Sequence, residues 1–179
     1  MTGIEFAFFD TAIGRSLVAW GDRGIVAVQL PGVSESRTRA RILGMFPEAR
    51  EGSPPAGVES AIAGIAALLR GEEIDLSDIA LDMTGVPDFH RRVYAVARAI
   101  PAGRTLIYGE IAQRLGEPSA AREVGQALGE NPFPIIVPCH RVLAANGKLG
   151  GFSAPGGTTT KLKLLRIEGA EAAAQLELF

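Results

Sequence analysis

The sequence predicts an α+β chain in which a small antiparallel sheet comes first and helices follow. Three observations carry this: a strand-rich first thirty residues, a change to helical periodicity after Pro87, and two short tandem helices between Tyr108 and Leu128. The expected division is 1–83 for the sheet-bearing half and 84–179 for the helical half.

The elements follow in order. "IEFAFFDT", "RSLVAWGD" and "GIVAVQL" are short, apolar or alternating runs parted by Gly and Asp turn signals, so neighbours are expected to pair antiparallel. Helices are expected from Ser34 to Phe46 and from Val58 to Leu69, the second placing Ile62, Ile65, Ala66 and Leu69 on one face. "GEEIDLSDIALDMTG" reads as an acidic turn, another strand and a link. "PDFHRRVYAVARAI" has Pro87 near its start, with Phe89, Val93, Val96 and Ile100 spaced by three and four, and so reads as a helix. "YGEIAQRL" puts Ile111, Ala112 and Leu115 on one face and stops at Gly116. "SAAREVGQAL" opens on Ser119 as N-cap and turns Val124, Ala127 and Leu128 inward. Joined by a turn of about three residues, this pair has the form of a helix-turn-helix, and equally of a plain helical hairpin in a core.

Composition narrows the class. At 179 residues the chain is one domain or two small ones, with 47% apolar and 21% charged residues, as in a globular protein. No apolar run approaches the roughly 18 residues that cross a bilayer, so no membrane partner is expected. "MTGIEFAFFDTAIG" lacks the basic region of a signal peptide. A single cysteine forms no internal disulfide and fits a reducing cytoplasm. One Cys and two His, far apart, also fail to supply a structural zinc set. The net charge of −2 argues against a nucleic-acid partner, but its distribution does not. From Thr84 to Gly169 there are eleven Lys/Arg against six Asp/Glu, and elsewhere seven against fourteen, which suggests a basic working surface on the second half. Arg122 and Gln126 lie on the outer face of the second tandem helix. Ala120 and Ala121 beside them are small enough for close approach to a phosphate backbone, while Glu123 works against it.

The lone thiol sits in "NPFPIIVPCHRVLAANGKLGGF". Pro132, Pro134 and Pro138 fall within seven positions, which predicts a rigid extended loop holding Cys139 in place. His140 follows directly. A free thiol is only a few per cent thiolate at pH 7, and full ionisation would raise the reactive fraction about thirtyfold, worth roughly 2 kcal/mol. A neighbouring base can supply that, directly or through a water. On the residues alone, Cys139 is either such a nucleophile or a small buried hydrophobe.

"NPFPIIVPCHRV" resembles the active-site segment of the O6-alkylguanine-DNA alkyltransferases, the methylated-DNA–protein-cysteine methyltransferase family. The order "YGEIA", "AAREVGQAL", "NP", "PCHRV", "GF", "KLKLLRIEG" extends the resemblance over about Phe89 to Gly169. It implies a ribonuclease-H-like N-terminal domain and a winged-helix-like C-terminal domain with a helix-turn-helix. It also implies a monomer that needs no cofactor and binds double-stranded DNA containing O6-alkylguanine. Carried over by motif, Cys139 matches the alkyl acceptor, His140 a base acting through water, and Glu168 the carboxylate that orients it. Asn131 matches the residue bracing the turn and Tyr108 the donor to departing guanine. Arg122 resembles the finger that fills the gap left by a flipped nucleotide, with Ala121 and Gly125 at a minor-groove approach face. Ser153 and the main chain near Cys139 and Val142 resemble groups that hold the base, with Phe152 and Pro134 at the pocket wall and rim.

The match has departures. "GGFSAPGGTTTK" is about two residues longer than the common family spacing, and Phe152 stands where some relatives carry tyrosine. Preferred alkyl size and activity on O4-alkylthymine stay open. Other classes remain in view: a sensor that binds alkylguanine without repair, a cysteine hydrolase using His140 or the distant His90, and a purely regulatory DNA-binding protein. Sensors that resemble this family usually lack the cysteine, so Cys139 counts against that class.

Overall fold

The computed structural model describes residues 3–177. Strands β1 (Glu5–Thr11), β2 (Gly14–Gly21) and β3 (Gly24–Gln29) form an antiparallel meander. A two-residue strand β4 (Arg50–Glu51) adds to the open side of β1 in parallel, giving the order β3-β2-β1-β4. Both faces of this sheet are covered, which is why "LVAW" of β2 is buried throughout rather than alternating. Phe6, Leu17, Ala19 and Ala27 face Ile42 of helix α1 (Glu35–Met45), which is capped by the Ser34 hydroxyl accepting from Arg37 N–H. Phe9, Val18, Trp20 and Val28 face the other way, toward Ile65 and Leu68 of α2 (Ala56–Leu69). On α2 the buried residues are Val58, Ala61, Ile65, Ala67, Leu68 and Leu69, so Ile65 and Leu69 of the expected face are buried while Ile62 and Ala66 are only partly covered.

The expected strand after α2 does not form. Only Leu81 makes a bridge, to Ile25. Asp75 and Asp82 accept from the backbone N–H groups of Ser77 and Thr84, both at 2.9 Å, and these local turns compete with a ladder. Gly24, at φ +131, is where this segment crosses β3. A Cβ there would lie 2.6 Å from the Ala80 carbonyl oxygen, so the site requires glycine.

The second half is helical. Helix α3 (Asp88–Arg98) begins after Pro87 and buries Val93, Tyr94 and Ala97, with Phe89 and Val96 only partly covered. A parallel pair not foreseen from sequence joins β5 (Leu106–Ile107) to β6 (Val142–Leu143). Two residues carry too little periodicity to announce a strand. The pair matters because Tyr108 directly follows β5 and Cys139–Arg141 directly precede β6.

Helices α4 (Tyr108–Arg114) and α5 (Ala121–Gly129) form the tandem, with Val124, Ala127 and Leu128 inward. Their connection is six residues, not three. Gly116, at φ +75, stops α4 early, and Ser119 lies inside a turn closed by Ala120 N–H on the Glu117 carbonyl, so α5 starts without a side-chain cap. Helices α6 (Gly157–Ile167) and α7 (Glu171–Glu177) are the last described elements, packing Leu165 and Ala173 on Leu143.

One apolar cluster runs from the sheet through α2, α3 and α5 to Phe133, Ile135 and Cys139. The Val28 N–H donates to the Pro132 carbonyl at 2.9 Å, fixing β3 to the segment that carries the thiol. Tyr94 ties α3 to α5 by donating its buried hydroxyl to the Ala127 carbonyl at 2.7 Å. Tyr94→Phe, which leaves that carbonyl without the phenol, is expected to lower unfolding free energy by about 1–3 kcal/mol in urea titration.

Candidate active site

The segment after α5 is built around Asn131. Its side-chain oxygen accepts from Phe133 N–H and its amide donates to the Val137 carbonyl, both at 2.9 Å, so one side chain spans the turn. Ile135 inside the turn has φ +74, a conformation costly for a β-branched residue and retained here by burial. Cys139 then opens a single 3-10 turn, Cys139–Arg141, behind Pro138. The thiol is 7% exposed. Burial pushes it above its ordinary pKa, against the lowering pull of the Asn131 side chain, the Lys161 charge and the N–H groups of Cys139 and His140.

Behind the thiol lies a buried charge cluster. His140 Nε2 is 2.7 Å from Glu168 Oε1, and neither side chain is more than 2% exposed. Arg141 donates Nε to both Glu168 oxygens at 3.2 and 3.0 Å, Nη2 to Oε1 at 2.7 Å, and Nη1 to the Ile100 carbonyl at 2.6 Å. Burial alone would raise the Glu168 carboxyl, but its bonds to His140 and Arg141 hold it down at about 2. Burial lowers His140 below its ordinary value, outweighing the Glu168 carboxylate that favours the cation. An ionised Glu168 only accepts, so the proton of the neutral ring sits on Nε2. Nδ1 is therefore a lone-pair site, buried and without a hydrogen-bond partner among the described residues.

Cys139 opens onto two cavities. One, of about 450 Å³, is lined by Tyr108, Gly125, Leu128, Phe152 and Ser153; the other, of about 270 Å³, by Asn131, Pro134, Phe152 and Ser153. Of the residues expected from sequence, these are brought together at the thiol. Val142 lines neither cavity, and its carbonyl accepts from Lys161 Nζ at 2.6 Å. Arg122 and Ala121 lie on α5 and line neither cavity; Arg122 is exposed and makes no hydrogen bond or ion pair among the described residues. His90 lies 3.7 Å from Glu130 and lines neither cavity.

Three residues escaped the sequence reading. Arg141 carries no sign beyond standing next to His140. Lys161 is 1% exposed, its ammonium bonded to the carbonyls of Val142 and Gly151 and set 5.9 Å from the Tyr108 ring centre. Burial lowers it to about 8. Its inward position follows from Leu164 and Leu165, three and four residues on, which are buried on the same face of α6. Gly150, at φ +71, lets the chain pass the Tyr108 hydroxyl, which would lie 2.7 Å from any Cβ there.

Because folding depresses Glu168 from its ordinary 4.5 to about 2, the cluster stabilises the fold above pH 4.5 and loses that contribution as pH falls toward 2, up to about 3 kcal/mol. Glu168→Gln strands the buried Arg141 charge and is expected to cost about 3–5 kcal/mol at pH 7. The difference from the natural protein, measured by denaturant unfolding, is expected to shrink steadily below pH 4.5.

Comparisons with known proteins agree with this geometry. Residues 88–170 match the family model "6-O-methylguanine DNA methyltransferase, DNA binding domain". The methylated-DNA–protein-cysteine methyltransferase of Mycobacterium leprae is 38% identical over 170 residues, covering 95% of each chain. That of Mycobacterium bovis is 46% identical over 125 residues, covering 70% of this chain and 73% of the relative. The crystal structure of Mycobacterium tuberculosis OGT in complex with DNA superposes with a TM-score of 0.73 at 35% identity, covering 97% of this chain and 99% of that one. A free thiol beside a carboxylate-bound imidazole, on this fold and with these relatives, places the chain in the methylated-DNA–protein-cysteine methyltransferase family.

Proposed function

We propose that this chain repairs O6-alkylguanine in double-stranded DNA by direct reversal, moving the alkyl group irreversibly to its own Cys139 in one turnover. The observation that carries the reading is the state of His140. It is buried and neutral, with Nε2 committed to Glu168 and Nδ1 without a partner among the described residues, in the residue next to a buried thiol.

The chemistry follows from these groups. The damaged nucleotide must leave the stack, at a cost of a few kcal/mol that is smaller for a weakened pair. Helix α5 approaches the minor groove through Ala121 and Gly125, and Arg122, exposed and without a hydrogen bond or ion pair among the described residues, enters the space the nucleotide vacates. The extruded base occupies the 450 Å³ cavity against Tyr108, with Ser153 and the main chain at Cys139 as its hydrogen-bonding groups and Phe152 as its apolar wall, while Val142, bonded to Lys161, supports that wall from behind. His140 Nδ1 takes the thiol proton through a water. Sulfur then attacks the alkyl carbon as the carbon–oxygen bond breaks, and that bond's electron pair goes to guanine, which recovers a proton from the site or from solvent. Burial and the nearby Cys139 push the Tyr108 phenol above its ordinary pKa, so it serves by donating a hydrogen bond while keeping its proton. The resulting thioether has no route to hydrolysis here, so each molecule acts once.

Burial opposes both halves of the proton transfer, since it raises the thiol and lowers the imidazole. Glu168 offsets this on the imidazolium side, and Lys161 with the two backbone N–H groups on the thiolate side. Asn131 keeps the turn in register, and Pro134 forms the rim. Residues 1–83 serve as a scaffold for the 84–179 half, and the setting is the reducing cytoplasm, where Cys139 stays free. No described helix is long and apolar enough to cross a membrane.

Incubation with a duplex holding one O6-methylguanine is expected to add the mass of one methylene, since CH₃ replaces the thiol proton. Peptide mapping is expected to find it on Cys139, with no gain for Cys139→Ala; tight binding without mass gain would make the protein a sensor. The single-turnover rate is expected to stay level from below pH 6.5, because His140 is lowered from that value, up to about pH 8, where Lys161 loses its charge. Lys161→Met is expected to lower the plateau about tenfold and remove the alkaline step, a change of profile that a packing defect alone would not produce.

A further inference from the structure

Helix α5 carries groups on its outer face that the alkyl-transfer chemistry leaves unused. Its buried residues are Val124, Ala127 and Leu128, and Gly125 and Gly129 line the cavity at the thiol. Arg122 and Gln126, one turn apart, are exposed on the opposite side from the buried residues, with Glu123 and Glu130 exposed beside them. Glu123 makes no hydrogen bond or ion pair among the described residues. Phosphates repel an acid, so a helix that only gripped the DNA backbone would be weakened by it.

Gln126 is held in one orientation. Its Nε2 donates to Glu130 Oε1 at 3.3 Å, four residues further along the helix. A carboxylate only accepts, so the amide nitrogen turns to Glu130 and the oxygen takes the other arm. That oxygen has no partner among the described residues. The second oxygen of Glu130 lies 3.7 Å from His90 Nδ1 on α3, which holds the carboxylate at the end of α5. Arg41 lines the same small cavity as Glu130 but makes no hydrogen bond or ion pair with it. The outer face of α5 thus presents acceptors around a single arginine.

In the minor groove every base pair offers acceptors, and the 2-amino group of guanine is the single donor. An amide oxygen turned outward therefore finds a partner only at a G·C pair. At an A·T pair it meets adenine N3 or thymine O2, acceptor against acceptor. Four residues of helix rise about 6 Å, and base pairs stack roughly 3.4 Å apart. Gln126 therefore falls within about two steps of the pair that Arg122 enters.

From this arrangement we infer that Gln126 reads a base pair flanking the damaged guanine and favours G·C over A·T, with Glu130 as its positioning residue. Glu123 adds to the preference, because a second acceptor at the groove is likewise met only by a guanine amino group. This rests on the minor-groove docking of α5 proposed above and adds to it a sequence context for the substrate.

The test uses the full chain and duplexes in which the two pairs on either side of one O6-methylguanine are G·C. Methyl transfer is followed by intact-protein mass below saturation, so that binding differences enter the rate. Replacing the flanking guanines by inosine removes the 2-amino group and leaves the major-groove edge unchanged. Transfer is expected to slow about fivefold, the effect of one hydrogen bond. Looser pairing alone would act the other way, since a weakened duplex opens more easily. With A·T flanks, 2,6-diaminopurine in place of adenine adds the amino group and is expected to speed transfer by a similar factor.

Gln126→Leu is expected to reduce the guanine-to-inosine ratio to about two or less, the remainder belonging to Glu123. Glu130→Ala frees the amide to turn its N–H to base acceptors. The ratio is then expected to fall through faster transfer on the inosine duplex, a selective gain that a packing defect would not produce. A ratio of one in the natural protein, or a ratio that Gln126→Leu leaves unchanged, would overturn the inference. No methyl transfer on any duplex, or Arg122→Ala reacting as fast as the natural protein, would remove the docking reading and the inference with it.

Discussion

The Glu168 carboxylate, at the end of α6, is shared by His140 and Arg141, and the site depends on that sharing. A lone carboxylate in this position would take up a proton to escape burial. Arg141 prevents that by meeting it with a guanidinium fork and anchoring its own remaining donor on the Ile100 carbonyl. The ionised carboxylate then dictates which imidazole nitrogen carries the proton. A single buried charge pair thus fixes the tautomer of the imidazole beside the thiol, and it joins α6, the end of α3 and the 3-10 turn of Cys139 in doing so. Buried pairs of this kind are poor sources of net stability, because desolvation offsets much of their attraction. The role of this one is orientation.

Around it the protein holds a reactive thiol in an unreactive resting state. Burial keeps sulfur protonated and the imidazole neutral, so no exposed thiolate is available to oxidants or stray electrophiles. The groups that favour the ionic state are already in place, namely Lys161, the N–H groups of the turn, and Glu168. They can act when an electrophile arrives and sulfur begins to share its charge with carbon. For a protein spent by its single reaction, such restraint avoids loss of the acceptor before DNA is met.

The sheet-bearing half contributes geometry. The same apolar cluster that fills the space between β3, α2 and α3 continues to Phe133 and Ile135, so the turn under Cys139 is supported by both halves at once. Ile135 keeps a positive φ only because that support leaves it no alternative. The Val28 bond to Pro132 brings the end of β3 close enough to help line the smaller cavity at the thiol.

Much of this was legible in the sequence. Strand and helix periodicities located β1 to β3 and α1 to α5, because each has enough residues to show its period. The run from Asn131 to Val142 marked the lone thiol and its neighbour, because prolines and a Cys-His pair are local signals, and only its resemblance to a known family distinguished an acceptor thiol from a small buried hydrophobe. What the sequence left out has a common physical reason. The two-residue strands β4, β5 and β6 are too short to show a pattern, and the acidic segment before Met83 was pulled from strand to turns by its own aspartates. Lys161 and Arg141 read as ordinary cations, since burial of a charge is decided by partners distant in the chain: Val142 and Gly151 for one, Glu168 and Ile100 for the other. The sequence by itself determined which groups can react. Only the tertiary structure decided which of them are charged and which nitrogen holds the proton, because desolvation and pairing are properties of the packed interior.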